Sequence, residues 1–173
     1  MNSNAPVMRK ASHSDKTILT HIIRESFRPV ADRFGLTQTN CPKHPSNCTE
    51  QWITDDFERG VDYYLLEYHS KPVGCVAFER PAPEYCYLER LAVLPGEQSR
   101  GYGKMLVDYI IGIADIAGIQ EIRIGIISDH TELKQWYRKL GFCETGRKAF
   151  PHLPFQVAFM SYTLPIKNLV KQK

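Results

Sequence analysis

Hydrophobic positions along the chain change period several times, and each change marks an element. Ile18, Leu19, Ile22, Ile23 and Phe27 recur at helical intervals behind Ser14 and Asp15, both suitable caps. That spacing predicts a helix over 15–27, with Pro29 just beyond its end and a short strand over 7–11 before it. The stretch 35–49, GLTQTNCPKHPSNCT, is rich in turn formers and is expected to be a loop. Thr49 or Asn47 then caps a second helix running to about Phe57 and ending near Gly60. From Asp62 the period falls to two. Tyr63–Tyr68 and Val73–Phe78 flank the turn His69-Ser70-Lys71-Pro72, which predicts a hairpin.

Pro81 and Pro83 break the chain before a strand over 85–94. A helix to about Ala117 follows, with Leu106, Tyr109, Ile110, Ile113, Ala114 and Ala117 on one stripe and Gly118 at the C′ position. A strand over 121–127 comes next. Strand, helix and strand joined by short connections imply that 85–94 and 121–127 are parallel with a right-handed crossover. Asp129 with Glu132 matches a capping box, Asp standing for Ser or Thr. The short helix so started carries Leu133, Trp136, Tyr137 and Leu140 and stops at Gly141. Strands over 142–149 and 155–164 close the chain, and 165–173 is a basic tail expected to fray. The pattern is α+β: about seven strands and four helices in one domain over 1–173.

Composition narrows the partners. A net charge of +3 spread along 173 residues is not the clustered footprint of a nucleic-acid binder. No apolar run reaches the length of a membrane span. MNSNAPVMRKA has no signal-peptide core, and five cysteines are an odd number, so reduced thiols and a cytoplasmic location are expected. In that compartment the sequon Asn47-Cys48-Thr49 is a chance match.

The chemistry concentrates in 84–106, where a strand runs through a sharp turn into a helix. The first amides of a helix that opens on small residues point outward unpaired, and with the helix dipole they form an anion site. Arg100 and Lys104 add charge there. A phosphate is the natural occupant. The P-loop pattern fails, because Tyr102 follows Gly101 where Lys is required, and Met105 follows Lys104 where a hydroxyl is required. The dinucleotide fingerprint fails as well, with Leu106 in place of its third glycine.

Gln98-Ser99-Arg100-Gly101-Tyr102-Gly103 does match the [Q/R]-x-x-G-x-[G/A] signature, and here the chain resembles the GNAT superfamily of acetyl-CoA-dependent N-acetyltransferases. Tyr87–Pro95 is similar to that family's fourth strand. Trp136-Tyr137-Arg138-Lys139-Leu140-Gly141-Phe142 is similar to its Y-x-x-x-G-F segment. The strong match covers about 84–145, and outside it only the order of elements agrees. The resemblance implies a mixed central sheet flanked by helices, acetyl-CoA as co-substrate, no metal, and acetyl transfer to a primary amine by direct attack in a ternary complex. It also implies site residues. The amides of Gln98, Ser99, Arg100, Gly101, Tyr102, Gly103 and Lys104 would hold the CoA diphosphate. The backbone of Leu91, Ala92 and Val93 would pair with the pantetheine arm. Glycine at 101 and 103 would keep a Cβ out of the phosphate's path. Tyr137 would protonate the leaving thiolate, although it shares the apolar stripe of its helix. Glu89 is the candidate base for the amine, with ordered water as the alternative.

In the family an Asn often follows the fifth strand. Here Ser128-Asp129-His130 stands in its place, and no cofactor role is assigned to that loop. Cys41-x2-His44-x3-Cys48 looks metal-like but lacks a fourth ligand nearby; the resemblance implies instead that this loop is a wall of the acceptor pocket, with a plain surface loop as the alternative. Phe150–Pro154 is a second candidate wall. The acceptor stays open: a small amine, a protein N-terminus or lysine, or no acceptor at all if the chain only binds acyl-CoA. No nucleic acid or membrane is expected as partner. The oligomeric state, a homodimer included, is also open.

Overall fold

The computed structural model describes residues 5–165, so the rest of the tail, 166–173, lies outside the described residues. The elements follow the order β1 (Val7–Lys10), α1 (Lys16–Phe34), α2 (Glu50–Glu58), β2 (Asp62–Tyr68), β3 (Lys71–Glu79), β4 (Tyr85–Val93), α3 (Tyr102–Ile116), β5 (Glu121–Ile127), α4 (Thr131–Lys139), β6 (Cys143–Ala149) and β7 (Gln156–Thr163). The strands form one mixed sheet in the order β1-β2-β3-β4-β5-β7-β6. β4 and β5 are its parallel pair, joined across α3, and the other neighbours are antiparallel.

Period-two alternation sends the strand residues to two helical layers. Tyr64 and Leu66 of β2 pack with Leu106, Val107 and Ile110 of α3. Tyr63 and Leu65 face the other way, against Leu19, Ile22 and Ile23 of α1 and Ile53 of α2. A third, smaller cluster joins Ala31, Leu36, Cys41 and Ile127 to Phe34, Leu153 and Phe155. It ties the end of α1, the following loop and the β6–β7 connection to the end of β5.

Two boundaries differ from the sequence expectations. α1 does not stop before Pro29 but runs on to Phe34, capped by Gly35 in the left-handed region (φ 62°). Pro29 sits on the exposed face, where the carbonyl it leaves unbonded can be hydrated. The extra turns put Val30, Ala31 and Phe34 into the third cluster, and that burial outweighs the lost bond. α4 is capped by His130, whose Nδ1 accepts from the amide of Leu133 at 3.3 Å, and not by Asp129. His130 also packs its ring on Phe34, which an aspartate could not do. Thr49 caps α2 as expected, its hydroxyl accepting from the amide of Trp52.

Candidate active site

β4 and β5 pair only over Tyr85–Tyr87 and Glu121–Arg123. Beyond that point the strands part, and from Leu88 to Val93 β4 has a sheet partner only on its β3 side. The β4–β5 pairing stops at Tyr87, and a bulge follows further along β4. The β3–β4 register shifts between Cys75 and Ala77, and Arg90 opposite it adopts φ 48°. The extra residue flips the parity of the strand. Cys86 and Leu88 face α3, and so do Leu91 and Val93, whereas Ala92 turns to the α1 side.

The parted strands enclose a cavity of about 680 Å³ that runs from one layer to the other. On the α4 side its walls include Leu133 and Tyr137, and on the α1 side Phe27, Val30 and Phe155. Beside it a second groove is lined by Gln98, Ser99, Gly101, Gly103, Lys104 and Trp136, and the two share Leu91, Val93, Gln98 and Leu133. The glycine turn and the parted strands therefore open onto one continuous space.

The turn has the form an anion requires. α3 starts after Gly101, and no side chain caps its first turn. Within the chain itself each glycine also answers a backbone or packing demand. A Cβ on Gly101 would meet nothing within 4 Å, but φ is 81°, which side-chain-bearing residues rarely adopt. A Cβ on Gly103 would sit 3.2 Å from the Trp136 indole, so that glycine lets α3 and α4 approach each other along the groove. Ser99 is also left-handed, at φ 64°. Arg100 is ion-paired with Glu97 at 3.4 Å, and Lys104 with Asp108. The Tyr102 ring is buried against Tyr68, which leaves only its backbone to the groove. Gln98 donates its side-chain amide to the Val93 carbonyl at 3.3 Å, on the edge expected to meet the pantetheine arm.

Glu89 lines the cavity and also a shallower outer groove with Tyr87, Arg123, Gly125 and Phe159. Burial pushes its carboxyl above the ordinary range, and repulsion from Glu79 adds to this. Tyr137 is core and lining at once. It is 4% exposed, stacks edge-on with Trp136 and Phe142, and faces the cavity. Burial raises its phenol well above the usual value, so it stays protonated.

The loop between α1 and α2 supplies part of the cavity wall through Lys43, His44 and Pro45. Cys41, His44 and Cys48 are all buried but do not converge, and among the described residues no group of His, Cys, Asp and Glu is placed to hold a metal. His44 Nδ1 accepts from the amide of Ser46 at 3.3 Å. Because that amide can only donate, a neutral ring carries its proton on Nε2, and burial keeps it neutral. Leu153 completes the wall from the 150–154 segment. Ser128 is buried, its hydroxyl without a partner, and it does not reach the cavity; His130 does.

Sequence reasoning missed Arg90, Asp56 and Trp52, which meet behind the bulge. One signal was available: Asp56 follows Ile53 by three positions on the inward stripe of α2, where a carboxylate needs a partner.

Comparison with known proteins agrees with this geometry. The PaiA N-acetyltransferase of Thermoplasma acidophilum, solved in complex with coenzyme A, superposes with a TM-score of 0.76 at 18% identity over 92% of this chain and 99% of that one. The ribosomal-protein-S18-alanine N-acetyltransferase of Escherichia coli gives 0.76 at 13% identity over 98% and 100%. YncA of Salmonella typhimurium, a putative acetyltransferase solved with acetyl-CoA, gives 0.68 at 18% over 98% and 99%. Among the described residues no helix is long and apolar enough to cross a membrane. The model of the acetyltransferase (GNAT) family matches residues 20–142, which takes in both helices of the α1 layer, the parted strands, the glycine turn and α4: the chain belongs to the GNAT acetyltransferase family.

Proposed function

We propose that this chain is an N-acetyltransferase that moves the acetyl group of acetyl-CoA to a primary amine by direct attack in a ternary complex. The observation that carries the proposal is the parting of β4 and β5, which joins the glycine turn to a cavity lined by both Glu89 and Tyr137. Acetyl-CoA supplies an activated acyl carbon and a thiolate leaving group. The uncapped first turn of α3 and the left-handed Gly101 present amides to its diphosphate. The β5-facing edge of Leu91–Val93 offers unpaired backbone to its arm, and Gln98 orients the Val93 carbonyl at the end of that edge.

An alkylamine of pKa about 10.4 is protonated at neutral pH and must lose a proton before it attacks. Glu89 takes that proton, directly or through water, and its raised carboxyl brings the base nearer to neutral pH. Tyr137, kept protonated by burial, hydrogen-bonds the departing sulfur and gives it a proton. The amine gains the acyl carbon, the carbon–sulfur bond breaks, and one proton is released overall from the ammonium form. Phe27, Val30 and Phe155 give the cavity an apolar side against which the carbon chain of an amine can pack.

The test is an amine and peptide panel followed by release of free CoA, with each hit repeated in Tyr137→Phe. Turnover on at least one amine is expected. The phenol-less variant should lose about 10²-fold in kcat while its affinity for acetyl-CoA is unchanged. Tight acetyl-CoA binding with no release on any amine would make the chain a binding module instead.

A further inference from the structure

Behind the bulge of β4 lies a buried polar cluster to which neither the family motif nor the proposed chemistry assigns a task. Asp56 of α2 is 4% exposed. Its Oδ2 accepts from the Tyr63 hydroxyl at 2.5 Å and pairs with Arg90 Nη2 at 3.1 Å, and its Oδ1 accepts from Arg59 at 2.6 Å. The Arg90 guanidinium also lies 5.7 Å from the centre of the Trp52 ring and donates to Cys48 Sγ at 3.7 Å. Arg90 is the residue that takes the left-handed backbone at the bulge. A non-glycine residue holds such a conformation only where its surroundings force it. Here the forcing is visible, because the side chain is drawn away from the parted edge into a pocket closed by a carboxylate and an indole.

We propose that Asp56, acting through Arg90, is a positioning residue that holds the bulge of β4. It thereby turns the Leu91–Val93 edge toward the donor and Glu89 into the cavity. The proposal rests on the acetyl-CoA reading above. Glu89 is flanked by Glu79 of β3, by Asp56 and Arg59 of α2 and by its neighbour Arg90. Tyr87, Glu121 and Arg123 line the outer groove with it, and Lys43, His44 and His130 line the cavity. Asp56 and Arg90 therefore act on its carboxyl with opposite signs: the aspartate favours the protonated form, and the arginine the ionised one.

The experiment measures acetyl-CoA affinity by calorimetry, amide exchange across β4, and a carbon-13 titration of the Glu89 carboxyl, on the full chain. Asp56→Asn should weaken acetyl-CoA binding about tenfold and speed exchange at 91–93. Arg90→Gly, which takes the left-handed backbone without help, should bind within about twofold of wild type, and Arg90→Val should lose at least as much as Asp56→Asn. Asp56→Asn/Arg90→Gly should recover the affinity lost in Asp56→Asn. The Glu89 titration should move to lower pH in Asp56→Asn and to higher pH in Arg90→Gly, as the loss of each charge requires, which checks that both groups still face the carboxyl. Wild-type affinity in Asp56→Asn, equal affinity in Arg90→Gly and Arg90→Val, or no recovery in the double variant would overturn the proposal. If the wild-type chain does not bind acetyl-CoA, the donor reading fails, and exchange and titration still decide whether Asp56 holds the bulge.

Discussion

The two walls of the cavity are built in opposite ways. The wall proposed for the donor comes from nearly contiguous chain: Leu88, Glu89, Leu91 and Val93, then Gln98–Lys104, with Leu133, Trp136 and Tyr137 added from α4. Its form depends on backbone, namely an unpaired strand edge, two left-handed residues at 99 and 101, and an uncapped helix start. The wall proposed for the acceptor gathers Phe27 and Val30 of α1, Lys43–Pro45 of the next loop, and Leu153 and Phe155 before β7. It consists of side chains from segments more than 100 residues apart. A backbone site limits the residues allowed at a few positions, because dihedrals and close approach exclude most of them. A side-chain wall needs only bulk and apolarity, which many residues supply.

The sharpest break in this comparison is expected on the donor side. In Gly103→Val the Cβ alone would lie 3.2 Å from the Trp136 indole, and the branched methyls would drive α3 and α4 apart along the groove. Acetyl-CoA affinity by calorimetry should fall by about 100-fold or more, with the melting cooperative as before. Gly112→Ala is the control in the same helix, where a new Cβ meets nothing within 4 Å. It should leave affinity unchanged and stabilise the chain by roughly 0.5–1 kcal/mol. Equal affinity in Gly103→Val and Gly112→Ala would remove the turn from donor binding.

At the junction of the walls the readout is pH. The Glu89 carboxyl is raised by burial and by Glu79, and it acts as a base only when ionised. Turnover should fall with pH through a limb lying above the ordinary carboxylate range. Glu89→Gln should lose that limb and about 10²-fold of the rate at its plateau. Stability gives a second sign. The folded chain holds this proton more tightly than the unfolded chain, so wild type loses stability relative to Glu89→Gln as pH rises from the ordinary carboxylate range through the raised value. A limb that persists in the glutamine variant would assign the base to another group.

The same contrast explains what the sequence made legible. Period two placed Tyr63 and Leu65 on one layer and Tyr64 and Leu66 on the other, and the glycine turn was readable because its constraint is local. Pro29 misled because the gain from burying Val30, Ala31 and Phe34 lies in a cluster with Ile127, Leu153 and Phe155, which no local window contains. The cap of α4 went to His130 for a similar reason, since the Phe34 ring it packs on lies almost 100 positions upstream. The bulge was invisible because nothing in Glu89-Arg90-Leu91 requires a left-handed residue. The partners that Arg90 finds there, Asp56 and Trp52, lie across the layer, more than 30 positions upstream. The acceptor wall could be expected as a loop and a connection but not as a shape, because its shape exists only once Leu153 and Phe155 have packed against the end of α1.

The smallest expected effect tests whether the two walls are separable. Phe155 lines the cavity from the acceptor side and packs in the small cluster with Leu36 and Ile127, at a distance in sequence from every element of the glycine turn. Phe155→Leu keeps the site apolar and shortens the side chain, so the cluster is retained with a modest loss of packing. KM for the amine found in the panel should rise roughly tenfold, the low end of the range a small change in an apolar pocket gives. The Kd for acetyl-CoA should stay within about twofold of wild type, because the residues that hold the donor lie on the other wall. A donor affinity that fell in step with the acceptor KM would mean that β5, which carries Ile127 on one face of the cavity and pairs with β4 at its start, transmits the change across the gap. The cavity would then be one deformable unit, with acceptor choice and donor affinity evolving together.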